Sequence, residues 1–107
     1  MTTEGADAAA ADTAPQLSLS SIAVQSWDVR RRQYGGQHWL VRHNETFELN
    51  ELTDAVWRAC TDRVSVAAVA RVVAEELDLP PVSLLEPTLA ALHLLGGAGL
   101  VHFEPGP

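Results

Sequence analysis

The sequence contains no lysine: its seven basic residues are all arginines, against 14 Asp and Glu residues. The formal net charge at pH 7 is therefore −7. Nucleic-acid binding depends largely on neutralising phosphates, so an acidic chain of this kind is a poor candidate for a nucleic-acid-binding protein.

Cysteine and long apolar runs are also scarce. Cys60 is the single cysteine, so the chain forms no intramolecular disulfide, and no zinc-ligand spacing can be built around it. No run reaches the roughly 18–20 apolar residues that a membrane-spanning helix needs. The N-terminus also lacks the basic and apolar regions of a secretory signal. We therefore expect a small cytoplasmic protein that does not bind membranes.

The 107 residues are enough for one domain. Residues 1–16 have almost no large apolar side chain, and we predict a disordered, acidic and Ala-rich tail there. The domain is expected over residues 17–103, with a second tail over residues 104–107. A domain of this size buries only about 60–65% of its unfolded surface, so a deep active-site cleft is not expected.

Three strands are predicted at the start of the domain. Residues 22–32 form the first, a glycine pair at residues 35–36 marks a tight turn, and residues 38–42 form the second. After a turn at residues 44–45, residues 46–49 alternate polar and apolar as a half-buried strand does. The short links predict an antiparallel meander in which the second strand is central and the others are edges.

From Asn50 onward the apolar period changes from 2 to 3.6, which predicts three helices. Asn50 and Ser65 are suitable N-caps for the first two helices, each of which has one apolar stripe. The third helix is predicted over about residues 83–95, with Ser83 in a capping position. Pro87 predicts either a later start or an irregular first turn, since proline is tolerated only in the first turn.

The third predicted helix is apolar nearly all round and needs more than one packing partner. It is either the central helix or a half-exposed helix that awaits a ligand. Its most regular stripe is expected to face the core. That stripe consists of Leu85, Leu89, Leu92 and Gly96.

The chemistry-bearing residues form no catalytic or metal-binding pattern. The histidines have no metal-ligand spacing, and we expect ordinary surface or core positions for them. They are His38, His43, His93 and His102. Cys60 lies on the apolar stripe of the first helix and is expected to be an inert thiol. The sequence predicts no metal, no cofactor and no enzymatic activity.

One basic cluster, Arg30-Arg31-Arg32, lies close to the first turn. It is interpreted as a solvated hairpin face, with an arginine stacked on Trp39 across the ladder. The alternatives are a docking site for an acidic peptide or partner protein and, third, a phosphate contact that the net charge disfavours.

The order and spacing of several motifs resemble the PqqD family. Residues 46–50, Thr-Phe-Glu-Leu-Asn, are similar to that family's strand ending in Leu-Asn, and Val56-Trp57 to the aliphatic-Trp pair of its first helix. Residues 65–70 resemble the start of its second helix, and residues 99–101 its Gly-Leu-Val end. The resemblance covers about residues 17–101. It departs at residues 62–63, where the family often has Asp-Gly, and at Pro87.

The resemblance implies an α+β, winged helix-turn-helix-like fold in which a three-stranded antiparallel sheet is followed by three helices. PqqD serves pyrroloquinoline quinone (PQQ) biosynthesis. Its relatives are recognition elements (RREs) of pathways for ribosomally synthesised and post-translationally modified peptides (RiPPs). The implied role is non-catalytic: the domain binds the leader segment of a precursor peptide and presents it to a modifying enzyme. That enzyme would be a radical SAM enzyme, an ATP-dependent cyclase or a leader protease.

In this family the leader pairs with the edge of the third strand and lies beside the third helix. The residue pattern agrees, because that strand is expected to be an edge with unpaired backbone groups and the helix has spare apolar surface. The expected peptide-binding residues are Thr46, Phe47, Glu48, Leu49, Leu92, His93 and Leu95.

Two other functions remain open from the sequence. A winged-helix DNA-binding regulator needs polar and basic residues on its reading helix, but the second and third helices offer only Arg71 and His93. A small assembly protein of another kind is the remaining alternative.

We predict that duplex DNA is not a ligand, because the acidic chain repels phosphates. Gel retardation with duplexes from the gene's own neighbourhood, at about 0.15 M salt, should show no specific complex. Specific retardation of any such duplex would contradict both this prediction and the peptide-binding hypothesis.

Overall fold

A computed structural model describes residues 17–61 and 63–106. The predicted tail at residues 1–16 lies outside this range. The strands are β1 (Ile22–Gln25), β2 (Arg30–Tyr34), β3 (Gln37–Arg42), β4 (Glu45–Leu49), β5 (Val64–Ser65) and β6 (Val101–Glu104). The helices are α1 (Glu51–Ala59), α2 (Val66–Leu77) and α3 (Leu85–Gly97), and a 3₁₀ turn at Pro81–Leu84 precedes α3. The α+β class and the three helices are as predicted.

The strands β2, β3 and β4 form the predicted antiparallel meander, with β3 in the centre. Gly35 and Gly36 form the β2–β3 turn with φ angles of 56° and 83°, a conformation that favours glycine in a tight hairpin. Within the described residues, β4 pairs only with β3. Its outer edge is therefore free, as the meander order predicted.

The prediction of one strand over residues 22–32 is wrong. The segment forms β1 and β2, which belong to different sheets and are separated by a turn in which the Val29 amide donates to the Ser26 carbonyl. The spacing of Val24, Trp27 and Val29 already breaks period two, and Trp27 is 94% exposed in this turn.

A second sheet, in the order β5-β1-β6, was not predicted. Its strand β6 ends at Glu104, which the sequence analysis had assigned to the C-terminal tail. This sheet brings the two ends of the domain together, whereas the winged-helix order has no such sheet. The likeness to a winged helix-turn-helix is therefore loose.

Both predicted N-caps are confirmed. The Asn50 side chain accepts a hydrogen bond from the Thr53 amide (2.8 Å), and the Ser65 hydroxyl accepts one from the Ala68 amide (3.1 Å). Each satisfies an otherwise unpaired donor in the first turn. The predicted stripe of α2 is buried apart from a partly exposed Leu77.

The later start that Pro87 predicted for α3 is confirmed, but the predicted Ser83 cap and the predicted rotation of the helix are wrong. Ser83 does not cap it: the Ser83 hydroxyl donates to the Pro80 carbonyl instead, and α3 begins at Leu85. Pro87 thus lies in the first turn, where its missing amide is not needed. The buried side is also shifted by about one residue from the predicted stripe. It consists of Thr88, Ala91, Leu92 and Leu95.

A buried carboxylate joins the meander to the helices. Asp54, on α1, is 1% exposed and accepts hydrogen bonds from Arg31 of β2 at 2.6 and 3.0 Å. It also accepts one from Arg58 at 3.0 Å. Arg58 in turn forms an ion pair with Glu76 of α2, while His38 of β3 lies 3.0 Å from the Arg31 guanidinium. We call these five residues the Asp54 cluster.

Hydrogen bonding decides the protonation of Asp54. Burial by itself raises the pKa of this carboxyl, but the hydrogen bonds from Arg31 and Arg58 and their positive charges outweigh it, so its pKa lies below the ordinary value. Its contribution to stability is therefore fully present above the unfolded-state pKa of about 3.9 and is lost as pH falls through the lower, folded-state pKa.

We expect Asp54→Asn to lower the free energy of unfolding at pH 7 by about 3 kcal/mol. This value is at the lower end of the cost of breaking a buried ion pair. The cost is low because Arg31 and Arg58 are partly exposed, so water can solvate their charges in the variant. Denaturant unfolding of both proteins should show a constant difference above about pH 5 that shrinks as pH falls below about 4. Glu75→Gln, which changes an exposed carboxylate, is the matched control. A pH-independent difference would contradict this assignment.

Candidate functional site

An apolar groove separates the edge strand β4 from the C-terminal half of α3. Its volume is about 240 Å³. The lining residues come from β4, the start of α1, α3 and the turn that follows α3. They are Phe47, Glu48, Leu49, Asn50, Thr53, Leu94, Leu95, Ala98 and Leu100.

The floor of the groove is fixed and its rim is open. Leu95 and Leu100 are each 2% exposed and belong to the hydrophobic core, so they cannot easily move. Leu94, next to Leu95 on the helix, is 71% exposed. A large apolar side chain held in water at the rim of an apolar groove is typical of a binding surface.

Backbone groups of β4 border the groove. Phe47 is paired with the buried Leu40 of β3, so its side chain lies on the inner face of the sheet, as does that of Leu49. Because β4 has a partner strand on one side only, N–H and C=O groups of alternate residues point away from β3. These groups can hydrogen-bond to a further strand.

Arg42 holds the two walls of the groove together. From the end of β3, its guanidinium donates to the carbonyls of Gly99 (2.8 Å) and Ala98 (3.1 Å), at the C-terminus of α3, and pairs with Glu45 at the start of β4 (3.2 Å). A cation is favourable at a helix C-terminus, where carbonyls lack helical partners. Gly99 has φ +76°, and a Cβ there would lie 2.9 Å from the Arg42 guanidinium.

The structure brings four of the seven sequence-predicted residues to the groove: Phe47, Glu48, Leu49 and Leu95. Of these, Glu48 borders the groove at the β4 edge, and the strand register places its side chain on the opposite face of the sheet. Leu92 is fully buried on the core side of α3. Thr46 lies on the opposite face of the sheet, beside Trp39 and Val41.

His93 lies on another flank of α3. It lines a separate cavity of about 400 Å³ together with Leu17, Phe103 and His102. Leu94 is not among the predicted site residues. The sequence does carry a signal for it, since a helix that is apolar nearly all round needs more than one packing partner.

Within residues 17–61 and 63–106, no three His, Cys, Asp or Glu side chains come together as metal ligands. Burial raises the pKa of the Cys60 thiol to about 12, so it is a thiol at neutral pH and a poor nucleophile. No helix of the described chain is long and apolar enough to cross a membrane. The groove offers backbone hydrogen bonds and apolar contact.

The sequence and the fold match known proteins. The family model for coenzyme PQQ synthesis protein D (PqqD) matches residues 37–101, which include β3, β4 and all three helices. The chain belongs to the PqqD family. A comparison with curated protein sequences found no match.

A solved structure has the same fold. It is the solution NMR structure of the PqqD truncation of Methylobacterium extorquens PqqCD, described as a functional and stand-alone RiPP recognition element. The TM-score is 0.69 at 22% sequence identity, and the match covers 81% of this chain and 95% of the other. The PqqD fold is therefore shared despite a low sequence identity.

Arg42→Gln should loosen the C-terminal turn of α3. Removing charge-assisted hydrogen bonds of this kind costs about 1.5–3 kcal/mol, and the loss should fall on the local opening of that turn. Amide hydrogen exchange should become faster at Ala98, Gly99 and Leu100, whose amides bond back into the helix. Arg30→Gln, at an exposed arginine, is the control. Unchanged exchange at all three amides would show that Arg42 does not hold this wall.

Proposed function

We propose that this PqqD-family chain is a non-catalytic peptide-binding protein that recognises the leader segment of a ribosomally made precursor peptide. The observation that supports this most directly is the free edge of β4 beside an apolar groove. An extended peptide adding to β4 would satisfy the strand's outward backbone groups while its side chains reach the groove. Because precursor peptides are made on ribosomes, the proposed setting is the cytoplasm.

The groove suggests what the leader carries. Successive side chains of an added strand alternate between the two faces of the sheet, so every second leader residue would point toward α3. None of the described residues that line the groove is basic, and Leu94, Leu95 and Leu100 make its wall and floor apolar. The leader residue that enters it is therefore proposed to be a large apolar one, such as leucine or phenylalanine.

Leader binding on β4 would leave the core segment of the precursor free for chemistry elsewhere. We propose that the domain delivers this segment to a radical SAM enzyme, a cyclase or a leader protease. Family membership and the shared fold with a described RiPP recognition element support this role. The alternative of a DNA-binding regulator has less support, because the chain is acidic and its exposed Leu94 suits an apolar ligand better than a phosphate.

The proposal is tested by NMR titration of the ¹⁵N-labelled chain with the leader of the precursor peptide encoded beside its gene. Amide shifts are expected to concentrate in β4 and in the last two turns of α3. They should be weak in β2, the other edge of the same sheet. Shifts confined to β2 would place the peptide on the wrong edge, and a complete absence of shifts at saturating peptide would exclude leader binding.

Leu94→Ala should weaken leader binding by more than 1 kcal/mol, as expected for a hot-spot side chain. Its effect on stability should be small, because Leu94 is 71% exposed. His93→Ala is the matched control and should leave the affinity for the leader unchanged. His93 is exposed and adjacent to Leu94 on the same helix, but it lines the other cavity. Leu92→Ala should instead cost about 2–5 kcal/mol of stability. Calorimetric titration measures the affinity for the leader, and thermal unfolding measures stability. Equal leader affinity of Leu94→Ala and wild type would show that Leu94 does not contribute to the site.

A further inference from the structure

The β2–β3–β4 sheet has an outer face that no described residue covers. Its inner face carries Leu40 and Leu49 against the core, and side chains alternate along each strand. The strand register places the opposite set of side chains together on the outer face. These residues are Arg30, Arg32, Tyr34, Gln37, Trp39, Val41, Thr46 and Glu48.

The centre of the outer face is apolar. Tyr34, Trp39 and Val41 surround a shallow depression of about 380 Å³, and Tyr34 is 64% exposed. The solvated face of an antiparallel sheet is ordinarily polar. An aromatic and β-branched patch at this position is typical of a surface that contacts another protein.

The β2 side of the outer face is basic. Arg30 and Arg32 are exposed and form no ion pair with any described residue, as is also true of Arg71 on α2, whereas the other four arginines all do. Among the described residues, the Arg32 guanidinium donates only to the Arg31 carbonyl, at 3.3 Å. In a chain of net charge −7, two unpaired arginines beside an aromatic patch favour a partner that brings its own carboxylates.

The outer face is continuous with the proposed leader site. Arg32, Trp39 and Glu48 lie in one row across the three strands, and Glu48 is on the edge strand β4. A strand added to β4 would extend this same sheet, so alternate leader side chains would lie beside Glu48 and Thr46. A protein seated on the outer face would therefore contact the bound leader directly.

From this geometry we infer that the outer face is the docking surface for the modifying enzyme that receives the peptide. The inference rests on the proposed function. The enzyme places an apolar side chain over Trp39 and Val41, and its carboxylates face Arg30 and Arg32. The groove side of the sheet holds the leader, and the outer side holds the enzyme. Trp, Tyr and Arg are the residues most enriched in binding hot spots.

The test uses the full chain, saturating leader peptide and the modifying enzyme encoded in the same gene cluster. Arg30→Glu and Arg32→Glu should each raise the Kd for the enzyme at least tenfold. Arg71→Glu, the same charge change at an exposed arginine of α2, should leave the Kd within twofold. Tyr34→Ala should also weaken enzyme binding, and all four variants should bind the leader as wild type does.

Three results would overturn the inference. The first is an unchanged Kd for the enzyme in Arg30→Glu and Arg32→Glu. The second is an equal loss of enzyme affinity in Arg71→Glu, which would show an effect of net charge alone. The third is sedimentation showing that the two variants dissociate a dimer of this chain, which makes the outer face a self-interface. Failure of the wild type to bind the leader would instead count against the proposed function.

Discussion

The buried Asp54 carboxylate links the meander to the helices, and the groove lies between these two parts of the domain. The groove has one wall on β4, in the meander, and the other on α3, among the helices. The Asp54 cluster ties β2 and β3 to α1 and α2, and Arg42 ties β3 and β4 to the end of α3. These polar contacts set the separation of two apolar walls, which apolar packing alone fixes less strictly.

Local signals in the sequence predicted the meander, the two N-caps and the helical stripe of α2. Each depends on residues near one another in the chain: two glycines in a turn, a cap residue before a helix, an apolar period. The free edge of β4 followed from the meander order. The resemblance to the PqqD family also points to the β4–α3 side of the molecule.

The remaining features depend on contacts between distant residues. The second sheet pairs Ile22 with Glu104, and no local sequence pattern predicts a pairing between residues so far apart in the chain. The rotation of α3 was mispredicted because the helix is apolar on nearly every side, so its period does not select one face. The surroundings of α3 explain why it is apolar on nearly every side. One side packs on the core, a second borders the groove, and a third contacts Phe103 of β6 at Gly96. This rotation placed Leu94 at the groove and His93 away from it.

The pairing of β1 with β6 brings the first and last strands of the described domain side by side. Ser20 and Gly106 are in contact, since a Cβ on Gly106 would lie 1.8 Å from the Ser20 carbonyl oxygen. A neighbouring protein fused at either end would leave the domain from the same side. The β2–β3 hairpin turn at Gly35-Gly36 is exposed, and no described residue lies within 4 Å of a Cβ built at either glycine. The described domain is thus suited to circular permutation: a short linker would join it between Ser20 and Gly106, and new ends would open at the Gly35-Gly36 turn without cutting β4 or α3.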